Sequence, residues 1–250
     1  MQKMDRYTAA IVLLVLTSVP AAAQTVDELV EKHLAASGGR AALAALTSRT
    51  SIGTITLTTP VGKLSGTVEM YAKRPNKSRT LIKLDLSAVG GGQVVNDQRF
   101  DGTTGYVIDT FNGNRELSGA QLDALKSSTF PTPLLTYKET GVQLALSGRE
   151  KAGDKDAYVI VMTPKAGPAV RLFLDPDTMM LVKTVVRVNV PQLGGDIEQV
   201  VEFSDFRDVD GVKVPFVVNA INPAQSVTAT MTSVTHNGNI DDSTFAPPAQ

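Results

Sequence analysis

The stretch FSDFRDVDGVKVPF, Phe203 to Phe216, decides the fold class. Apolar and polar residues alternate through both of its arms, and Asp210-Gly211 stands between them. A period of two describes a strand with one dry and one wet face, and Asp-Gly between two such runs marks a tight hairpin. The pattern spreads outward in both directions. Upstream, Met180, Val182, Thr184, Val186, Val188 and Val190 alternate with Lys183, Arg187 and Asn189, and Ile197, Gln199, Val201 and Phe203 resume the dry face after a turn at Pro191 to Gly195. Downstream, Val212, Val214, Phe216 and Val218 continue it. Further runs are Leu64-Val68-Met70-Ala72, Thr80-Ile82-Leu84-Leu86, Val142-Leu144-Leu146 and Val170-Leu172-Leu174. Turn residues recur between them at Pro60 to Gly62, Pro75-Asn76, Asp101-Gly102, Gly153-Asp154, Pro164 to Pro168 and Asp175 to Asp177. Strands at this spacing predict an antiparallel meander of about ten or eleven.

Helices are few. Thr25-Val-Asp-Glu28 has the form of a capping box, with Val26, Leu29, Val30, His33 and Leu34 at helical spacing behind it and Gly38-Gly39 as a stop. A short second helix is expected over Arg40 to Leu46. A third is expected over Gly119 to Ser127, capped by Ser118 and Gln121, with Leu122 and Leu125 on its apolar edge.

Residues 1–23 read as a secretory signal peptide: Lys3 and Arg6, an apolar run from Ala9 to Val19, then Pro20 and three alanines, with cleavage after Ala23. The apolar run is about half the roughly 20 residues a membrane span needs. Residues 24–250 read as one domain. The chain has no cysteine, so neither disulfides nor a lipidated N-terminal cysteine is expected and the core must hold the fold alone. A formal net charge of −1 offers no field for nucleic acid. Tryptophan is absent, and aromatic residues make up only 5% of the chain, so the apolar mass is aliphatic. About eight strands close on a barrel that side chains just fill, and more strands leave room. A sheet of ten or so strands lined by Val, Ile and Leu can therefore flatten into a sandwich or curl around an apolar hollow. Periodicity does not choose between the two.

Four motifs, in order, carry a resemblance: YAKRPNKSR (Tyr71 to Arg79), DGTTGYVID (Asp101 to Asp109), LFLDPDTMMLVKTVV (Leu172 to Val186) and IDDSTFAPP (Ile240 to Pro248). Lys73-Arg74-Pro75-Asn76, Asp101-Gly102-Thr103-Thr104 before Tyr106, and Phe245-Ala246-Pro247-Pro248 resemble the LolA/LolB-like superfamily of outer-membrane lipoprotein-sorting proteins. The resemblance implies a strongly curved, unclosed antiparallel half-barrel with helices over its concave face. It also implies a periplasmic carrier of an acyl chain or of a lipoprotein's lipid moiety, with a membrane-anchored donor or acceptor protein as a further partner. The same fold also implies an alternative, an envelope sensor or protein-interaction module without lipid cargo. Carriers of this type have a tryptophan where this chain has Tyr106, and a more aromatic lining. An acyl chain of some fifteen methylenes needs roughly 12 kcal/mol of burial to leave water, at about 0.8 kcal/mol each. An aliphatic concavity supplies that without any reactive group.

On this architecture the lipid-cavity lining is expected at Leu64, Val68, Met70, Ile82, Leu84, Leu86, Leu144, Leu172, Val186, Val201 and Val214, in an apolar pocket of several hundred Å³. A one-residue slip in register would turn any of these to the outer face. Lys73, Arg74, Lys77 and Arg79 form the densest basic run, read either as a solvated hairpin or as a contact for lipid headgroups or an acidic partner. No catalytic constellation stands out: there is no Gly-x-Ser-x-Gly, no His-Glu-x-x-His and no cysteine. His33 reads as a structural histidine on the first helix and His236 as a strand-end residue. The paired aspartates Asp154/Asp156, Asp175/Asp177, Asp208/Asp210 and Asp241/Asp242 each sit at an expected turn, where Asp caps backbone groups. Ala88 to Gln93 reads as a hairpin loop, and Ser128 to Leu135, with two prolines, as a linker or a lid hinge. No metal or other cofactor is expected, and the chain is expected to act as a monomer and not as an enzyme.

Overall fold

The computed structural model describes residues 24–87, 90–190 and 195–248. The expected signal peptide, residues 88–89 of the glycine-rich loop and 191–194 of the expected turn lie outside them. Helices α1 (Val26–Ala36) and α2 (Arg40–Ala45) open the described chain. Six strands follow: β1 (Ser48–Thr59), β2 (Gly62–Lys73), β3 (Lys77–Asp85), β4 (Gln93–Phe100), β5 (Gly105–Asp109) and β6 (Arg115–Glu116). A crossing segment contains α3 (Gly119–Ser127), a 3-10 turn at Pro133–Leu135 and α4 (Tyr137–Thr140). Then come β7 (Gln143–Ala152), β8 (Lys155–Thr163), β9 (Val170–Leu174), β10 (Leu181–Val190), β11 (Gly195–Val209), β12 (Val212–Asn222) and β13 (Gln225–His236).

All thirteen described strands belong to one antiparallel sheet, in the order β6-β5-β4-β3-β2-β1-β13-β12-β11-β10-β9-β8-β7. The expected meander is therefore present, with more strands than the ten or eleven counted from periodicity. β6 has two residues, too short to show a repeat of two. The order also explains why helices cover the sheet. The chain walks outward from β1 to β6 at one edge, and must then reach β7 at the opposite edge before walking back to pair β13 with β1. The segment between β6 and β7 has to cross the whole sheet, and it does so on the concave side.

There it is packed hard. Phe130, Leu134, Leu135 and Tyr137 of the crossing segment join Leu29, Val30, Leu34, Leu43 and Leu46 of α1 and α2 in one cluster with Ile55, Val68, Leu172, Val214 and Phe216 of the sheet. Ser128 to Leu135 is thus a plug of the core and not a linker, because a chain that crosses a concave apolar face buries whatever large side chains it carries. The capping box of α1 forms as read: the Thr25 hydroxyl accepts from the Glu28 amide at 3.2 Å and the Glu28 carboxylate from the Thr25 amide at 3.0 Å. That of α3 does not, since the Ser118 side chain makes no cap hydrogen bond.

The outer face is not uniformly wet. Ala157, Val159, Phe173 and Val185 form a second cluster there. Lys183 and Arg171 lie over the Phe173 ring, 4.1 and 5.1 Å from its centre, so their charged ends roof the patch.

The basic run divides by the alternation of the strand. Arg74 turns inward and its guanidinium donates to the carbonyls of Leu46, Leu43 and Ala44, the last two at 3.1 and 3.0 Å. These carbonyls lie at the C-terminal end of α2, where, among the described residues, only that of Leu43 also accepts from a backbone amide, that of Leu46 at 3.3 Å. Arg74→Met should destabilise the protein by about 3 kcal/mol, since hydrogen bonds to a charged group contribute roughly 1.5–3 kcal/mol each and do not add fully. Arg74→Lys should recover less than half of that loss, because a point charge cannot serve three carbonyls in a fork. Urea unfolding of the two variants checks both values.

Candidate functional site

The hollow is filled at one end and open at the other. Under α1, α2 and the 3-10 turn the side chains above occupy it. Beneath α3 lies a groove of about 640 Å³, lined by Ala120, Gln121, Asp123, Ala124 and Leu125 of α3, Gln98 of β4, Val186, Arg187 and Val188 of β10, Gln199 of β11, and Gly167-Pro168. β4 and β11 are six places apart in the sheet. Flat, that separation would be roughly 29 Å at about 4.8 Å per strand. Both strands line one groove only because the sheet curls into an unclosed half-barrel. A second, more apolar space of about 310 Å³ adjoins it, lined by Met162, Val170, Pro133 and Pro164 and sharing Ala124, Pro168 and Val186 with the first. The two form one continuous groove.

Its roof is lightly held. No residue of α3 is buried and its N-terminus lacks a side-chain cap. Ser127 anchors its last turn, donating to the Ala166 carbonyl at 2.6 Å. A helix with little buried apolar surface opens at small cost in free energy.

The structure distributes the expected lining residues unevenly. Val186 lines both parts of the groove. Val68, Leu172 and Val214 lie in the filled core, with Ile82, Leu84 and Leu144 packed against it. Leu64, Leu86 and Val201 are half-buried, and Met70, on the same strand face as Val68, is 37% exposed. The open space therefore lies nearer the crossing helix than strand periodicity suggested. Ala120 and Ala124 were missed because nothing local marks a helix as the roof of a groove. The apolar edge of α3, Leu122 and Leu125, was the available signal.

The charged candidates are engaged within the chain. Lys73 and Lys77 meet Asp242 at 2.8 and 2.6 Å, and Lys73 also donates to the Ile240 carbonyl, so the run pins the C-terminal segment to the sheet's outer face. Those two lysines draw the exposed Asp242 carboxyl down to about 2. Arg79 and Arg99 both bind the buried carboxylate of Asp97. Burial by itself would raise the Asp97 pKa, and the two guanidinium groups outweigh it and hold it below the ordinary carboxylate value.

The turn aspartates act largely as read. Asp175 accepts from the amides of Asp177 and Thr178, Asp208 from that of Gly211 and Asp241 from that of Ser243. His33 is buried and its Nδ1 lies 2.9 Å from the Met179 carbonyl, a structural contact. His236 closes β13.

Comparison with solved structures places this architecture. A LolA superfamily protein from Nitrosomonas europaea superposes with a TM-score of 0.57 at 14% identity, over 90% of this chain and 99% of its own. A putative outer membrane lipoprotein-sorting protein domain from Vibrio parahaemolyticus gives 0.53 at 12% identity, over 88% and 95%. A DUF1329 family protein from Desulfovibrio piger gives 0.53 at 14%, over 87% and 97%. No family model matches the sequence, and no curated protein matches it significantly. The chain has the fold of LolA superfamily proteins.

Proposed function

We propose that this protein binds the acyl chain of a lipid or lipoprotein in the groove beneath α3, and that it carries that cargo across the bacterial periplasm toward the outer membrane. The groove carries the reading: an aliphatic stretch at Val186, Val188, Met162 and Val170 runs beside polar Gln98, Asp123 and Gln199, its size falls within the range of small-molecule sites, and its roof is lightly packed. Burial of methylenes against Val186, Val188, Met162 and Val170 drives binding without directional groups, which suits cargo whose chain lengths vary. Opening of α3 loads and unloads it. Among the described residues no helix is long and apolar enough to cross a membrane. The lipoprotein-sorting relative of the same fold supports a lipidated cargo.

Displacement of a fluorescent fatty acid from the purified protein by palmitate tests the reading. The wild type should bind the probe and release it. Val186→Trp places an indole where the two parts of the groove meet. It should weaken probe binding by tenfold or more, with the unfolding midpoint little changed. Equal binding by the two proteins, or no binding by the wild type, would overturn the proposal.

A further inference from the structure

A third cavity, about 210 Å³, is lined in part by Pro131 and Thr132 of the crossing segment and shares no lining residue with the groove. Its walls come from α2 (Leu43), the start of β1 (Arg49), β10 (Leu181) and β11 (Phe203), among others. None of the residues lining it is acidic, and two, Arg49 and Lys213, are basic. Lys213 has Asp208 at 3.5 Å. Arg49 has nothing comparable. Every other arginine among the described residues reaches a carboxylate, a carbonyl or a hydroxyl, while Arg49 makes no hydrogen bond or ion pair among them. Its guanidinium lies over the Phe130 ring, whose centre is 5.5 Å from Cζ.

The surroundings do not neutralise it. Arg49 pairs with His236 across the β1–β13 ladder, so the two side chains share a face. The His236 ring is fully buried and neither nitrogen has a hydrogen-bond partner. The nearest carboxylate, Asp210, stands 3.6 Å from Nδ1, too far for a hydrogen bond. Burial, with the Arg49 charge beside it, depresses the His236 pKa, which favours a neutral ring beside the guanidinium. Burial likewise lowers the Arg49 pKa. Arg49 is half-buried, and its N–H donors, which meet no acceptor among the described residues, face a small space with largely apolar walls where an incoming anion can take a charge-assisted hydrogen bond.

We propose that this pocket is a carboxylate site, in which Arg49 takes the acid head of a short straight-chain organic acid while Leu43, Leu181 and Phe203 hold the first methylenes. The planar fork of a guanidinium matches a carboxylate in a bidentate pair, and the aromatic face of Phe130 fixes the plane of the fork. The volume corresponds to about seven waters at roughly 30 Å³ each, which accommodates a carboxylate and a few carbons. The site is separate from the groove under α3, so each can fail without the other.

Titration of the full domain with hexanoate and with 1-hexanol, followed by calorimetry and by amide chemical shifts, tests the assignment. Hexanoate should bind at least tenfold more tightly than hexanol and shift the amides of Thr132 and Leu181. Arg49→Gln should lose tenfold or more of hexanoate affinity, Arg49→Lys should lose less, and Val186→Trp should leave it unchanged. Equal affinity for hexanol, full affinity in Arg49→Gln, or shifts confined to the groove at Ala124 and Val186 would each overturn it. The hexanoate-to-hexanol comparison needs no variant, so it decides the matter even if Arg49→Gln folds poorly.

Discussion

Asp97→Asn should destabilise the protein by about 3–5 kcal/mol at neutral pH, the range for breaking a buried ion pair from one side. Asp97 is 3% exposed, on the outer face of β4. Its Oδ1 accepts from Arg79 Nε at 2.8 Å and its Oδ2 from Arg79 at 2.8 Å, and Arg99 donates to Oδ2 from two nitrogens at 3.1 and 2.8 Å. Arg99 reaches on to the Ala246 carbonyl at 3.1 Å, which ties the C-terminal segment to the same carboxylate. Asparagine keeps the shape and removes the charge, leaving two part-buried guanidinium groups to repel one another.

The same carboxylate sets an acid limb of stability. Its folded pKa is depressed, so its contribution is fully present above the unfolded value of about 3.9 and is lost as pH falls through the folded value. The wild type should therefore weaken below about pH 4 more steeply than Asp97→Asn, and the two stability curves should converge in acid. Urea unfolding at pH 7 and pH 2 measures both effects. Equal stability of the two proteins at pH 7 would mean that the network contributes nothing.

Gly66→Ala should cost about 3 kcal/mol and should also weaken acyl binding in the groove. A Cβ at Gly66 would stand 1.9 Å from the Lys83 carbonyl oxygen and 2.8 Å from its carbon, both backbone atoms that cannot rotate aside. Gly66 pairs with Ile55 and Leu84, residues of the concave face, so the missing side chain is on the inside of the bend. Curling a sheet crowds its inner face, and a glycine there lets the neighbouring backbone close in. Gly53 repeats the device at a bulge between β1 and β13, where a Cβ would meet the Thr230 carbonyl oxygen at 2.2 Å. Overpacking of this kind typically costs 1–3 kcal/mol, and the upper end applies where backbone must move. Gly92→Ala, with no atom within 4 Å, should be near neutral. Thermal melts of the three variants, with probe affinity measured on those that fold, show whether curvature and binding fall together. A Gly66→Ala protein as stable as Gly92→Ala would refute this account of the bend.

The strands, the first helix with its cap, and the turn aspartates were legible in the sequence because each depends on neighbours a few residues away: a repeat of two, a hydroxyl three residues before a glutamate, an Asp accepting from amides two or three positions on. The resemblance of Lys73-Arg74-Pro75-Asn76 and Phe245-Ala246-Pro247-Pro248 to lipoprotein-sorting proteins added the half-barrel, and the shape of the sheet agrees with it. The site was less legible. Val186 was named, but the packing of Val68, Leu172 and Val214 into a closed core depends on where Phe130 and Leu134 land after crossing the sheet. No local repeat encodes that landing. The solitude of Arg49 was also invisible, since an arginine in a strand reads the same whether a carboxylate 100 residues away meets it or not. Sequence alone determined that this chain makes amphipathic antiparallel strands with a helix at the front. Only the tertiary structure decided how far the sheet bends, which end of the hollow is filled and which arginine among the described residues makes no hydrogen bond or ion pair, because all three depend on contacts between segments distant in the chain.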